Sequence, residues 1–335
     1  MHQKKNIIRI FALGMAAALL AGCSAENSAP GSMAASTAST QQDKIKIVTT
    51  IFPEYDWVKQ LLGEQAENAE VSLLLDNGVD LHSYQPSAAD LVKIADCDLF
   101  VYVGGESDAW VEDALEGSVN PNRTVINLMD VLDEGVKEEE LVEGMEAEEE
   151  EAEGDEPEYD EHIWLSLRNA ETLCNALTKA LQQIDPASEQ EYAANAQMYI
   201  AALSELDSEY QTAVQTAARR TVLFGDRFPF RYLTDDYGLT YYAAFAGCSA
   251  ESEASFATVS FLAGKVDELS LPCVLTIEGT QHKIAETIVQ NTNEKNQQIL
   301  SMDSMQGTTS ADVQNGASYL SIMQKNLAVL QTALN

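Results

Sequence analysis

The stretch from Pro186 to Arg220, PASEQEYAANAQMYIAALSELDSEYQTAVQTAARR, decides the architecture. Beyond Pro186 it holds neither Gly nor Pro, and Tyr192, Ala196, Tyr199, Leu203, Leu206, Tyr210 and Ala213 recur at spacings of three and four. That period draws one apolar stripe down a single helix of about 33 residues and about 50 Å. Two helices broken near Ser204 are the alternative. On either side, short apolar runs alternate with helical periods. Strands are expected at residues 45–52, 70–75, 99–103 and 124–127, with helices starting at Pro53, Ser87 and Asp108; Ser87 with Asp90 has capping-box character. After the long helix come strands at 221–224, 239–243 and 273–277 and a short one before Asp303. Helices run through Tyr232 and over 255–269 and 281–291, and a closing helix carries Tyr319, Ile322, Met323, Leu327 and Leu330. Alternation of this kind predicts parallel sheets covered by helices. The expected fold is α/β: an N-terminal lobe (44–185) and a C-terminal lobe (221–335), with parallel sheets flanked by helices, joined by one long rigid helix (186–220), and a cleft between the lobes. Ligands of such sheets bind outside the carboxyl ends of the strands. His82, Asp226 and Asp303 all fall just after expected strands.

The N-terminus bears on location. Lys4, Lys5 and Arg9 precede an apolar run from Ile10 to Leu20 that suits an export signal better than a membrane span. It ends Leu20-Ala21-Gly22-Cys23, which resembles a bacterial lipobox; residues 1–22 then form a lipoprotein signal peptide, and Cys23 becomes the lipid attachment point and membrane anchor. Residues 23–43, rich in Ser, Ala, Thr and Gln, form a flexible linker reaching about 25 Å. A net charge of −35 excludes a nucleic-acid partner and makes cations the natural guests. Cys97, Cys174, Cys248 and Cys273 show no CxxC spacing, so a thiolate zinc site is not expected; buried free thiols are the default, with a Cys248–Cys273 disulfide as the alternative. No HExxH, GxSxG or P-loop pattern points to an enzyme.

Two of the four histidines stand in loops beside carboxylates: His82 in Asp80-Leu81-His82-Ser83-Tyr84-Gln85-Pro86 and His162 in Tyr159-Asp160-Glu161-His162-Ile163-Trp164-Leu165. Neutral imidazole is the commonest side-chain ligand of Zn²⁺ and its neighbours, so the pair is a candidate metal site built from separate segments. Asp80, Asp160 and Glu161 are candidates to hold the second ring nitrogens.

With Gly78-Val79-Asp80-Leu81-His82-Ser83-Tyr84-Gln85-Pro86-Ser87, Asp160-Glu161-His162-Ile163-Trp164-Leu165, Tyr232-Leu233, Tyr237-Gly238-Leu239 and the Asp303 loop in this order, the chain resembles the zinc or manganese substrate-binding lipoproteins of bacterial ABC importers. The resemblance runs from Ile45 to Leu334. It implies an extracytoplasmic, lipid-anchored monomer, not an enzyme, that binds a divalent transition metal in the cleft between its lobes. The metal would be delivered to an ABC permease in the cytoplasmic membrane. It further implies that His82 and His162 are the N-lobe ligands and Asp303 the C-lobe carboxylate. The fourth position departs from the family's usual His or Glu: counting forward from the strand gives Asp226, counting back from Tyr237-Gly238-Leu239 gives Arg227, and a guanidinium cannot ligate a cation. The expected set is His82, His162, Asp226 and Asp303, with an insertion before Tyr232 and with Glu278 or water in reserve. Such a set suits Zn²⁺, with Mn²⁺ as the alternative cargo. An adhesin lipoprotein with a structural metal is the other rival. Between residues 133 and 161 stand 17 carboxylates and one lysine. Relatives often carry histidines in this acidic loop; here its expected role is to concentrate cations or to solubilise the chain.

Overall fold

The computed structural model describes residues 44–146, 158–249, 253–279 and 282–335. The export signal, Cys23 and the linker expected before residue 44 lie outside the described residues, as do residues 147–157 at the centre of the acidic segment.

Two four-stranded parallel sheets organise the chain. The first half alternates β1 (Ile45–Thr49), α1 (Phe52–Leu62), β2 (Ala69–Leu73), α2 (Ala88–Asp96), β3 (Leu99–Tyr102), α3 (Trp110–Glu116), β4 (Thr124–Asn127) and α4 (Leu128–Leu132). Its strands lie in the order β2-β1-β3-β4. Ile47 pairs with both Val71 and Leu99, and the inner strands read as apolar runs because helices cover both faces. Ser87 and Asp90 form the expected capping box at the start of α2.

α5 (Leu167–Ile184) and α6 (Glu189–Thr216) then form an antiparallel pair. α6 is one unbroken helix of 28 residues, about 42 Å long, and it buries Tyr192, Ala196, Tyr199, Leu203, Leu206, Tyr210 and Val214. It is shorter than expected because Pro186–Ser188 is a 3₁₀ turn and Ala217 is already extended. The second half follows with β5 (Thr221–Phe228), α7 (Arg231–Tyr237), β6 (Thr240–Ala246), α8 (Phe256–Leu269), β7 (Cys273–Thr276), α9 (Lys283–Asn291), β8 (Gln298–Ser301), α10 (Ser310–Gln314) and α11 (Tyr319–Leu334). Its strand order, β6-β5-β7-β8, repeats the pattern of the first sheet. α7 stops at Gly238, whose left-handed φ of 66° gives the turn that a side chain would resist.

β5 departs from expectation. It runs past Phe224 to Phe228, and two residues, Gly225 and Asp226, face the single residue Ala244 between the pairs Phe224↔Ala243 and Arg227↔Phe245. The bulge places Asp226 within β5 and not in a loop after it.

Both sheets share one core. Ile47, Trp57, Phe100, Trp164, Leu203, Phe224, Tyr319 and Leu330 belong to a single buried apolar cluster, with a smaller one around Leu262, Val274 and Ile288 beneath α8 and α9. Trp164 Nε1 donates to Ser304 O at 2.8 Å, Tyr319 OH to Trp164 O at 2.7 Å, and Tyr210 OH to Met323 O at 2.7 Å. These buried bonds tie α6 and α11 to the turn that carries His162. The acidic segment enters and leaves as a short antiparallel stem, with Glu139 N to Glu158 O at 2.8 Å and Asp160 N to Lys137 O at 2.9 Å. Glu146 N bonds Ala244 O beside β6. Cys97, Cys174, Cys248 and Cys273 are all free thiols.

Candidate metal centre

His82 is placed by a capped turn. Asp80 Oδ1 accepts from His82 N at 3.1 Å, which starts the 3₁₀ turn Leu81–Ser83 after β2, and buried Leu81 anchors it. His82 Nδ1 lies 2.7 Å from Ser107 Oγ and 3.5 Å from Glu161 Oε2, and Glu161 Oε1 accepts from Ser107 N at 2.8 Å. His162 is fully buried, and its backbone N and its Nδ1 both meet Asp160 Oδ1, at 2.8 and 2.9 Å. Tyr232 OH donates to Asp160 O at 2.8 Å. Gly247 leaves room for the ring: a Cβ there would stand 2.9 Å from Phe228 O and 3.0 Å from His162 Cε1.

With both Nδ1 atoms engaged, the two Nε2 atoms face each other at 3.3 Å. Two nitrogens each 2.0–2.1 Å from one tetrahedral Zn²⁺ stand about 3.3–3.4 Å apart, so the spacing is already that of a shared ion. The second lobe brings Cys248, just after β6, and its Sγ and one ring nitrogen of each histidine all lie within 4.8 Å of one another. Among the described residues this is the one His, Cys, Asp or Glu cluster of that tightness. Gln306, after β8, closes the other side. With its amide turned to put the oxygen 3.2 Å from His162 Nε2, its nitrogen donates to Asp80 Oδ1 at 2.8 Å.

A family model for the periplasmic component A of zinc-uptake complexes, ZnuA, matches residues 47–333. The chain belongs to the ZnuA family. It is 29% identical over 329 residues to the high-affinity zinc uptake system protein ZnuA of Bacillus subtilis, covering 97% of both chains. It is likewise 29% identical to the zinc-binding lipoprotein AdcA of Streptococcus pneumoniae, of which it spans 60%. The crystal structure of the Zn(II)-bound ZnuA-like domain of that AdcA superposes with a TM-score of 0.68 at 28% identity, covering 87% of this chain and 99% of that one. ZnuA proteins are binding components of zinc uptake, not enzymes.

Within this ZnuA frame the structure brings His82 and His162 together and leaves both carboxylates expected beside them outside the cluster. Asp226, in the β5 bulge, accepts from Arg227 N at 2.9 Å and Ile277 N at 3.4 Å. Asp303 is occupied by Met305 N at 2.8 Å, and its own N donates to Asn326. Glu278 is bound by the N and Oγ of Ser304, both at 2.7 Å. Arg227, the residue found by counting back, reaches across the lobes to Asp80 Oδ2 at 2.6 Å. Asp226, Glu278 and Asp303 line cavities that also contain Asp80 and Arg227. A separate cavity of about 470 Å³ is lined by His82, Cys248, Ser107, Glu106, Glu139 and Glu161. Sequence reasoning missed Ser107 and Gln306, and set Cys248 aside as a metal ligand for want of a CxxC spacing. All three follow the carboxyl ends of strands, the one signal that could have drawn attention to them.

Burial, then the neighbouring His162, pushes the His82 pKa down to about 3. Burial also opposes a charge on His162, but Asp160 and then Glu161 and Asp80 outweigh it and raise its pKa. The Cys248 thiol is raised well above its usual range by burial and by the carboxylates of Glu139, Asp160 and Glu161. Burial and then Glu278 lift Asp303 to about 6.

Proposed function

We propose that this chain captures Zn²⁺ outside the cytoplasm and hands it to an ABC-type permease in the cytoplasmic membrane, binding as a monomer tethered through Cys23. The observation that carries the reading is the 3.3 Å separation of two imidazole nitrogens whose partner nitrogens are already held. Membership of the ZnuA family and the zinc named for its relatives support the same cargo. A surplus of carboxylates around the site attracts any divalent cation, whereas paired nitrogens favour Zn²⁺ over Mn²⁺. Capture needs no chemical step: the ion binds the unprotonated nitrogens of the histidine pair, and docking on the permease would loosen the shell.

Chelator-competition titration of the metal-stripped full-length chain tests this. His82→Ala and His162→Ala should each weaken Zn²⁺ binding by about a hundredfold or more, since even outer partners of metal ligands are worth 10- to 100-fold. Zinc uptake by cells expressing the double variant should fall to that of cells lacking the chain. Zinc binding unchanged in both single variants would overturn the assignment.

A further inference from the structure

We propose that Cys248 is a metal ligand, giving this chain a thiolate-containing site of two imidazole nitrogens and one sulfur. The proposal rests on the zinc-capture reading above and deepens it by naming the class of cation the site selects. Among the described residues, Cys248 is the one His, Cys, Asp or Glu of the second lobe that joins His82 and His162 in a cluster of possible ligand atoms. The carboxylates expected at the site already accept hydrogen bonds, Asp226 and Asp303 from backbone N–H groups and Glu278 from Ser304, and Arg227 pairs with Asp80. Arg227 cannot bind a cation, and the strand beside it offers a donor that can. β6 is that strand, its Phe245 pairs with Arg227, and Cys248 lies just beyond its end.

The ligand atoms stand within 4.8 Å of one another. In a tetrahedral shell with Zn–N near 2.0–2.1 Å and Zn–S near 2.3 Å, nitrogen and sulfur stand about 3.5 Å apart, so closing the shell takes an approach of up to about 1.3 Å. The 470 Å³ cavity reaches both His82 and Cys248, which gives an ion access to the sulfur. In the binding step the S–H bond breaks and an S–Zn bond forms, the proton passes to solvent, and no atom changes oxidation state. Thiolate is a soft donor, so the site should take Zn²⁺, Cd²⁺ and Co²⁺ in preference to Mn²⁺, beyond what two imidazoles alone would select.

Co²⁺ titration of the metal-stripped full-length chain, read by ultraviolet and visible absorption, tests the proposal. The wild type should show thiolate-to-cobalt charge transfer that vanishes in Cys248→Ser and persists in Cys23→Ser, Cys97→Ser and Cys174→Ser. Cys248→Ser should also weaken Zn²⁺ binding by about tenfold or more and narrow the preference for Zn²⁺ over Mn²⁺. Cys248→Asp should keep Zn²⁺ binding, lose the charge-transfer band and gain Mn²⁺ affinity, which separates a lost ligand from a misfolded chain. No band in the wild type, or a band that survives in Cys248→Ser, overturns the thiolate ligand. If His82→Ala and His162→Ala abolish binding while Cys248→Ser does not, the thiolate proposal fails and zinc capture stands. If the histidine variants bind normally, zinc capture itself fails.

Discussion

At the scale of single residues, the site is a relay of held protons. Asp160 takes the Nδ1 side of His162 and Ser107 takes that of His82, which fixes both rings and leaves both Nε2 atoms toward a common point. A carboxylate behind an imidazole raises its basicity as well as orienting it. Asp160→Asn keeps an oxygen for the His162 backbone N–H but removes the charge, so Zn²⁺ affinity should fall about 10- to 100-fold by chelator competition while the metal-free protein melts near the wild-type temperature. Unchanged affinity would mean that Asp160 only shapes the turn. The histidines were legible in the sequence because they are few and stand in loops beside acids. Ser107, Cys248 and Gln306 were not, because a serine, a thiol and an amide have no ligand-like spacing and acquire roles only when strands from different segments align. Arg227 was legible in part: its charge rules it out as a ligand and suits it to a carboxylate in the cleft, and the structure makes Asp80 that carboxylate.

At the scale of elements, the strand ends carry both function and strain. Asp108 sits in the turn between β3 and α3, accepts from Gly104 N at 3.0 Å with Oδ2, and buries Oδ1 without a hydrogen-bond partner. Burial, then the nearby Glu161 charge, lifts its pKa to about 7. A carboxyl with a raised folded pKa holds its proton in the folded chain between its unfolded value, near 4, and about 7, so its contribution to stability declines as pH rises through that window. The metal-free chain should therefore melt higher at pH 5.5 than at pH 8, and Asp108→Asn should flatten part of that difference in thermal melts. A variant whose pH slope matches the wild type would show that Asp108 is ionised in the fold. The elements themselves were largely readable from period and length: all eight strands and one uninterrupted α6 appear where expected. What escaped was the bulge in β5, because an extra residue inside a paired strand leaves the apolar pattern intact and shows itself only in the register with β6.

At the scale of the molecule, one core decides how the lobes can move. The apolar cluster that starts at Ile47 in the first sheet continues through α5 and α6 to Phe224 in the second and Leu334 at the end of α11, so the lobes share packing with no linker between them. Trp164 is fully buried in this cluster, two residues from His162, and donates across to Ser304 two residues from Gln306. Wide hinge closure would have to break these buried hydrogen bonds and open apolar surface, whereas small rocking or movement of the turns after the strands leaves the core intact. Zinc binding should therefore leave the radius of gyration from small-angle scattering unchanged within error. Hydrogen-exchange protection should rise in the turns that carry Asp80 to Ser83, Ser107, Gly247 to Ser249, and Ser304 to Gln306, and stay constant in α6. A contraction of the whole molecule on adding zinc, or exchange in α6 that responds to the metal, would show that the shared core yields and that capture works by closing the lobes.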